Sequence, residues 1–268
     1  MKINLIIPAR YGSTRFPGKP LAKIDGRSML SRVVDIAITA SEDDKDIGIA
    51  VATEDGRIQA HCEDIGVSCL MTSDHCRTGT DRIIDAVKSL SPTPDFIINI
   101  QGDTPFTPPS IIRELIETCR NSPDSDVITP VHQLSWEELD TLRERKQQTP
   151  FSGTTVTMTD EYRALWFSKT ILPSIRKERG LRDKSDMSPV WQHIGIYAYS
   201  THILPKFERL PTGRYEDLEG LEQLRFLENG IPIQCVPVKI ETGQLQGGID
   251  SPEDIEFAEK ILRQQKSA

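Results

Sequence analysis

Over the first 120 residues, short apolar runs rich in β-branched side chains alternate with segments of helical periodicity. The runs predict strands over 3–8, Ile47–Thr53, Val67–Met71 and Phe96–Ile100. Between them, the spacing predicts helices over 28–40, 56–65 and 80–90. The first of these carries Met29, Leu30, Val33, Val34 and Ala37 along one face. Near-continuous apolar strands separated by helices read as a parallel sheet covered on both faces. Another helix follows Pro108-Pro109, with Ile111, Ile112, Leu115, Ile116 and Cys119 to one side.

The texture changes over 126–200. Shorter strand-like pieces appear at Val127–Val131, Thr154–Met158, Ala164–Ser168 and Ile194–Tyr199. The polar helical segment Trp136–Gln148 interrupts them, and the basic stretch Arg176–Lys184 reads as an exposed loop. This region is expected to be a smaller, partly antiparallel insertion into one α/β domain spanning 1–268. The chain then returns to a helix over Asp217–Asn229 stopped by Gly230, a strand over Ile233–Lys239 and a last helix. That helix opens with Ser251 as N-cap, Pro252 at its first position and acids in its first turn.

The chain has 268 residues, enough for a sizeable core, and a net charge of −8, which disfavours general nucleic-acid binding. No apolar stretch nears the roughly 20 residues needed to span a bilayer, and the first apolar run is too short for a signal peptide. Five cysteines without a C-x-x-C pair suit a reducing cytoplasm. His61, Cys62, Cys69, His75 and Cys76 cluster in sequence, but their spacing matches no paired zinc-ligand pattern.

Against that acidic background, the loop Ala9–Pro20 concentrates Arg10, Arg15 and Lys19 with Gly12 and Gly18, between a strand and a helix. Glycines let backbone N–H groups approach phosphate oxygens, and the cations neutralise them. The usual phosphate-loop pattern fails. Five residues separate Gly12 from Gly18-Lys19 where four are needed, and Pro20 stands where Ser or Thr would hold a metal. The dinucleotide pattern G-x-G-x-x-G fails as well.

Asp103, in Gln101-Gly102-Asp103-Thr104-Pro105, follows a central strand and so lies at the carboxyl edge of the sheet, where α/β folds bind ligands. It could hold Mg²⁺ on a triphosphate, or be an ordinary turn aspartate. Asp250, after Gly247-Gly248-Ile249, could close the same metal site or only favour the positive end of the helix that follows. Thr78-Gly79-Thr80-Asp81-Arg82 opens a helix whose N-terminal amides, with Arg82, could hold a polar ligand; equally it is a capped helix.

In this order the segments resemble the 3-deoxy-manno-octulosonate cytidylyltransferases, the CMP-Kdo synthetases. The matching pieces are IIPARYGSTRFPGKPL at 6–21, RTGTDRI at 77–83, NIQGDTP at 99–105, LWFSKTILP at 165–173, QHIGIYAYS at 192–200, LPTGRYEDLEGLEQLR at 210–225 and GGIDSPEDIE at 247–256. The resemblance implies a three-layer, Rossmann-like nucleotidyltransferase fold with a mostly parallel sheet, and a β-rich insertion at 126–200 that binds sugar and forms a homodimer. It implies transfer of CMP from CTP to the anomeric 2-hydroxyl of 3-deoxy-manno-octulosonate (Kdo) or its 8-amino-3,8-dideoxy analogue, with release of pyrophosphate, for lipopolysaccharide. A nonulosonate substrate and a non-catalytic nucleotide-binding relative are the alternatives.

By the same resemblance Arg10, Ser13, Arg15 and Lys19 hold the triphosphate, Lys19 nearest the transferring phosphate, and Asp103 and Asp250 ligate Mg²⁺. Thr78, Gly79, Thr80, Arg82 and Gln101 face the nucleoside. On the sugar side, alternation over His193–Tyr199 puts His193, Gly195, Tyr197 and Tyr199 on one face. On the helix 217–229, Leu218, Leu221, Leu224 and Leu227 are expected to face the core, beside a stripe of Glu219, Glu222 and Gln223. The chain departs from the family at Thr104, where an acid is common, at Thr155, where a lysine is usual, and at Lys169, where arginine is common. Lys169 keeps charge but loses bidentate carboxylate recognition.

Overall fold

Strand β1 (Ile3–Pro8) pairs in parallel with β4 (Ile47–Thr53) on one side and β6 (Phe96–Asn99) on the other, with Ile3 opposite both Ile47 and Phe96. Strand β5 (Ser68–Met71) adds in parallel beyond β4. The order β5-β4-β1-β6 follows from crossovers through helices α1 (Met29–Ser41), α2 (Gly56–Ile65) and α3 (Gly79–Val87). The computed structural model describes residues 1–12, 16–240 and 248–267, and contacts divide it into two units, Met1–Ile116 with Glu241–Ala268, and Glu117–Ile240.

In the first unit, Ile3, Leu5, Ile6 and Ile7 are fully buried, which is why the run from which β1 forms reads as continuously apolar. Met29, Leu30, Val33 and Ala37 of α1 and Ile83 and Ala86 of α3 are fully buried as well. The chain leaves β1 toward β4 and β5, then returns to β6 on the opposite flank. The carboxyl ends of β1 and β6 therefore frame a topological switch point, the crevice where such sheets bind ligands. A hairpin of β2 (Lys23–Ile24) and β3 (Arg27–Ser28), invisible as periodicity, precedes α1. Helix α4 (Pro109–Asn121) buries Ile111, Ile112, Leu115, Ile116 and Cys119, as its spacing predicts.

The second unit is built on β7 (Val127–Ser135). Antiparallel β11 (Tyr197–Ser200) and parallel β12 (Ile233–Pro237) pair with its first half, and antiparallel β10 (Met187–His193) with its second. Strands β8 (Thr155–Met158) and β9 (Ala164–Ser168) extend the sheet from β10. Helix α5 (Trp136–Gln148) is N-capped by Ser135 with a reciprocal bond from Glu138, and packs Trp136, Leu139 and Leu142 on Leu134 and Val190. Over 201–209, a turn of 3-10 helix leads into α7 (Leu204–Arg209), which buries Leu204 and Phe207.

Three expectations are corrected here. The basic stretch 176–184 is not simply a loop: it contains helix α6 (Glu178–Arg182), held by Arg143 and Arg182 on Glu178 and by Arg182 over the Trp136 ring. The predicted strand 194–199 begins late: residues 194–196 lie between β10, which ends at His193, and β11, which starts at Tyr197. The predicted helix 217–229 is broken into α8 (Arg214–Glu219) and α9 (Leu224–Glu228) by Gly220 in the left-handed conformation, φ 61°. Leu221 and Leu224 are buried, but Leu218 is 68% exposed and belongs to no core.

Candidate active site

The loop after β1 enters the switch-point crevice. Gly18 N–H donates to the Tyr11 carbonyl at 2.9 Å and closes the loop, and Gly18 adopts φ +73°, where a side chain would be strained and would press on the Tyr11 ring. The Arg57 guanidinium stacks on that ring, 3.3 Å from its centroid, and pairs with Asp55, the N-cap of α2. Lys19 then begins a 3-10 turn with buried Pro20 behind it. Its ammonium lies 2.8 Å from Asp103 Oδ2 and 3.2 Å from Asp250 Oδ1, so residues from three distant parts of the sequence meet.

Both aspartates are fixed through their neighbours. A Cβ on Gly102 would come within 2.7 Å of the Pro8 carbonyl oxygen, so glycine lets the turn after β6 pass against the end of β1. The Asp103 carbonyl accepts from Ile249 N–H at 2.8 Å, and Ile249 is buried with Ile24, Met29 and Ala258. Capping of the last helix, α10 (Pro252–Ser267), falls to Ser251 and Asp254, not to Asp250. Asp254 accepts from the backbone N–H groups of Asp250 and Ser251, and these bonds hold its carboxyl below the usual range despite its partial burial. The carboxylate of Asp250 faces Lys19.

Above this triad lies a cleft of about 180 Å³ lined by Arg10, Lys19, Thr78, Gly79, Arg82, Gln101 and Asp103, together with Cys76, Arg77 and Gly102. Exposed Arg77 and close-packed Gly102 stand inside the matching segments 77–83 and 99–105, but the resemblance assigns them no role of their own. Thr78 caps α3 in a reciprocal box with Asp81. Thr80 is buried and does not line the cleft. Arg82 differs from expectation: it is 2% exposed and neutralised by Glu54 at 2.6 Å, with Thr72 as a further partner, so it shapes the wall rather than offering a free cation. The hydroxyl of Thr104 donates to the Gln101 carbonyl and tightens the turn. Ser13 and Arg15 lie outside the described residues.

The sugar-side candidates lie in the second unit. Glu219 Oε1 accepts from Ser168 Oγ and its Oε2 from Lys169 N–H, both at 2.8 Å. Burial lowers the Lys169 ammonium below its ordinary range, partly offset by Glu219. His193 contacts Thr129 Oγ1 at 2.9 Å; burial, with the Lys169 charge adding, depresses it to about 3, so it is neutral at physiological pH. Its ring packs between Phe167 and Tyr197. Tyr197 is largely buried and stacks on Tyr199, so this face is largely core rather than an open polar surface. Gln223 is 6% exposed with its amide nitrogen unpaired, whereas Glu222 is half-buried. Thr155, at the family's lysine position, is fully buried and spends its hydroxyl on Thr170 and Leu172.

Among the described residues, no three His, Cys, Asp or Glu side chains converge as a metal cluster. His61 instead contacts Ser28 Oγ at 2.7 Å, and Cys62 is buried in α2. Asp103 and Asp250, however, aim oxygens at one cationic point. A pair of hard carboxylates beside a cation-lined cleft fits Mg²⁺, which takes one or two carboxylates and completes its shell with phosphate oxygens and water.

Comparison with known proteins agrees with this geometry. The profile of the cytidylyltransferase family matches residues 4–240. A 3-deoxy-manno-octulosonate cytidylyltransferase of Maricaulis maris is 41% identical over 98% of this chain and 97% of its own. An 8-amino-3,8-dideoxy-manno-octulosonate cytidylyltransferase of Shewanella pealeana is 39% identical over 98% and 99%. The solved structure of a CMP:2-keto-3-deoxy-manno-octonic acid synthetase complexed with CTP superposes with a TM-score of 0.83 at 30% identity, covering 99% of this chain and all of that one. With its cationic glycine loop, paired carboxylates and the parallel strand order β5-β4-β1-β6, the chain belongs to the cytidylyltransferase family of nucleotidyltransferases.

Proposed function

We propose that the protein transfers CMP from CTP to the anomeric 2-hydroxyl of 3-deoxy-manno-octulosonate or its 8-amino-3,8-dideoxy form. The observation that carries this reading is the convergence of Lys19, Asp103 and Asp250 at the base of a cleft walled by Arg10 and Arg77. In the reaction the sugar hydroxyl oxygen bonds to the α-phosphorus, the bond from that phosphorus to the bridging oxygen breaks, pyrophosphate leaves and the hydroxyl proton is lost. Lys19 and Arg10 neutralise charge on the triphosphate and hold it for in-line attack. Asp103 and Asp250 would hold Mg²⁺, which would draw charge from the α-phosphate and favour loss of the hydroxyl proton. Thr78, Gly79 and Gln101, which line the same cleft, would face the nucleoside.

In the second unit, the Lys169 ammonium answers the sugar carboxylate. Glu222, Gln223, His193 and Tyr197 offer hydrogen-bonding groups to hydroxyls, the neutral imidazole of His193 serving as donor or acceptor and not as a charge. The unpaired buried amide of Gln223 supports this, since such a group is destabilising unless a ligand or water completes it. The five cysteines are unpaired, consistent with catalysis in a reducing cytoplasm, and we place the product in lipopolysaccharide synthesis. A homodimer is expected, which light scattering will report directly.

The test is pyrophosphate release from CTP and Mg²⁺ with Kdo, the 8-amino analogue and a nonulosonate offered in turn. Release with an octulosonate and not with the nonulosonate is expected. Release only with the nonulosonate would move the substrate class, and CTP binding without release from any acid would make the protein a nucleotide-binding relative.

A further inference from the structure

Lys146 projects from α5 into the carbonyls of a neighbouring turn. Its ammonium donates to Gly153 O at 3.0 Å, to Ser152 O, and to Lys169 O at 2.6 Å. The N–H of that same Lys169 is bound by Glu219, which also holds Ser168. The peptide groups on both sides of Lys169 are thus gripped by charged side chains of opposite sign. Its own ammonium has no hydrogen-bond or ion-pair partner among the described residues.

A lysine on a helix surface ordinarily stays solvated and free. Here burial lowers the Lys146 ammonium below its ordinary range, and the Lys169 charge pushes the same way. Stapling the turn at 150–153 to α5 would explain the bonds to Ser152 and Gly153. It does not explain the third bond, which reaches across to the residue that follows β9 and brings one cation beside another.

We propose that Lys146 is a positioning residue for the sugar-acid site: with Glu219 it clamps the Lys169 backbone so that the Lys169 ammonium is held out as the carboxylate-binding cation. This rests on the octulosonate reading above. A half-buried cation fixed at its backbone gives up little further freedom when the anion arrives, so the clamp acts on affinity for the acid and not on the phosphoryl step.

The test measures KM for each substrate, and kcat, in wild type, K146M, K169M and the double variant, with thermal melts alongside. K146M is expected to raise KM for the sugar acid about tenfold while leaving KM for CTP and kcat within about twofold. The double variant is expected to be no worse than K169M alone. K146R, which keeps the charged donors, is expected to recover most of the loss. Equal rises in both KM values, or full additivity with K169M, would overturn the clamp. If K146M does not fold, K146Q, an uncharged donor, is read by the same criteria. Failure of the wild type to release pyrophosphate with any sugar acid overturns the substrate reading, and the clamp with it.

Discussion

The substitution Gly102→Ala isolates the link between strand packing and chemistry. The added methyl would sit 2.7 Å from the Pro8 carbonyl oxygen, against 3.4 Å for an ordinary contact, with Ile7 Cγ2 at 3.7 Å closing the other side. The offending atom is main chain at the end of β1, so no rotamer change relieves it. Either β1 or the turn Gln101–Asp103 must move by several tenths of an ångström. That turn carries the 2.8 Å contact from Asp103 to Lys19 and the 2.8 Å bond from Ile249 to the Asp103 carbonyl. Overpacking of this kind costs about 1–3 kcal/mol. At about 2–4 °C per kcal/mol for a chain near this size, Tm should fall by roughly 2–12 °C. Misplacing catalytic groups by about 1 Å costs on the order of a hundredfold, so kcat/KM should fall roughly ten- to a hundredfold. Pyrophosphate release and a circular-dichroism melt measure the two effects. Gly180→Ala in α6, where a Cβ meets nothing within 4 Å, is the control and should leave activity intact. A G102A enzyme with wild-type kcat/KM would refute the argument that this close approach sets the position of Asp103.

Three further outcomes are expected. Asp103→Asn and Asp250→Asn should each lower kcat by about a thousandfold or more while changing CTP affinity far less, as charge is needed most where it develops; calorimetric CTP titration beside a turnover assay separates the two. His193 is held neutral to about 3 when folded but takes a proton near 6.5 when unfolded. Its contribution to stability is therefore complete above pH 6.5 and declines as pH falls toward 3. At pH 5 the loss is about 2 kcal/mol, which urea unfolding of wild type and H193Q at pH 7.5 and 5 should reveal as a flatter profile in the variant. Arg225→Met removes the ion-pair partner of Glu216 on α8, where both side chains are 10–13% exposed, and should lower stability by about 3 kcal/mol, with the added change Glu216→Gln restoring part.

The first unit was largely legible because burial on both faces makes each parallel strand a plain apolar run, and because the cations of the loop after β1 stand out on an acidic chain. The second unit resisted for identifiable reasons. Met187–His193 alternates faces and contains Pro189, so it carries neither the continuous run nor the clean period that marked β1. Leu218, Leu221, Leu224 and Leu227 recur every three residues and imitate a helix face, but Gly220 takes φ 61° between the first two and turns Leu218 to solvent. The warning was Gly220 itself, midway in the predicted helix. Alternation puts Tyr197 and Tyr199 on one face with His193, but it says nothing about what covers that face; the stack through Tyr199 and Phe226 to Phe207 is a tertiary fact.

What the motif could not convey is how, on the proposed function, a loop that fails the phosphate-loop pattern would serve a triphosphate. In that pattern the residue after the lysine supplies a hydroxyl to the metal; here it is Pro20, buried and committed to the 3-10 turn that aims Lys19. Oxygen ligands must then come from elsewhere, and Asp103 and Asp250 offer them from points 84 and 231 residues from Lys19. Neither is placed by the loop. Asp103 depends on the Gly102 approach to β1, and Asp250 on Ile249 packing among Ile24, Met29 and Ala258 while donating to Asp103. A carboxylate pair assembled this way is a property of the core as much as of its two residues. Its weak points are accordingly apolar: emptying the Ile249 position would move Asp250 without touching a charged atom.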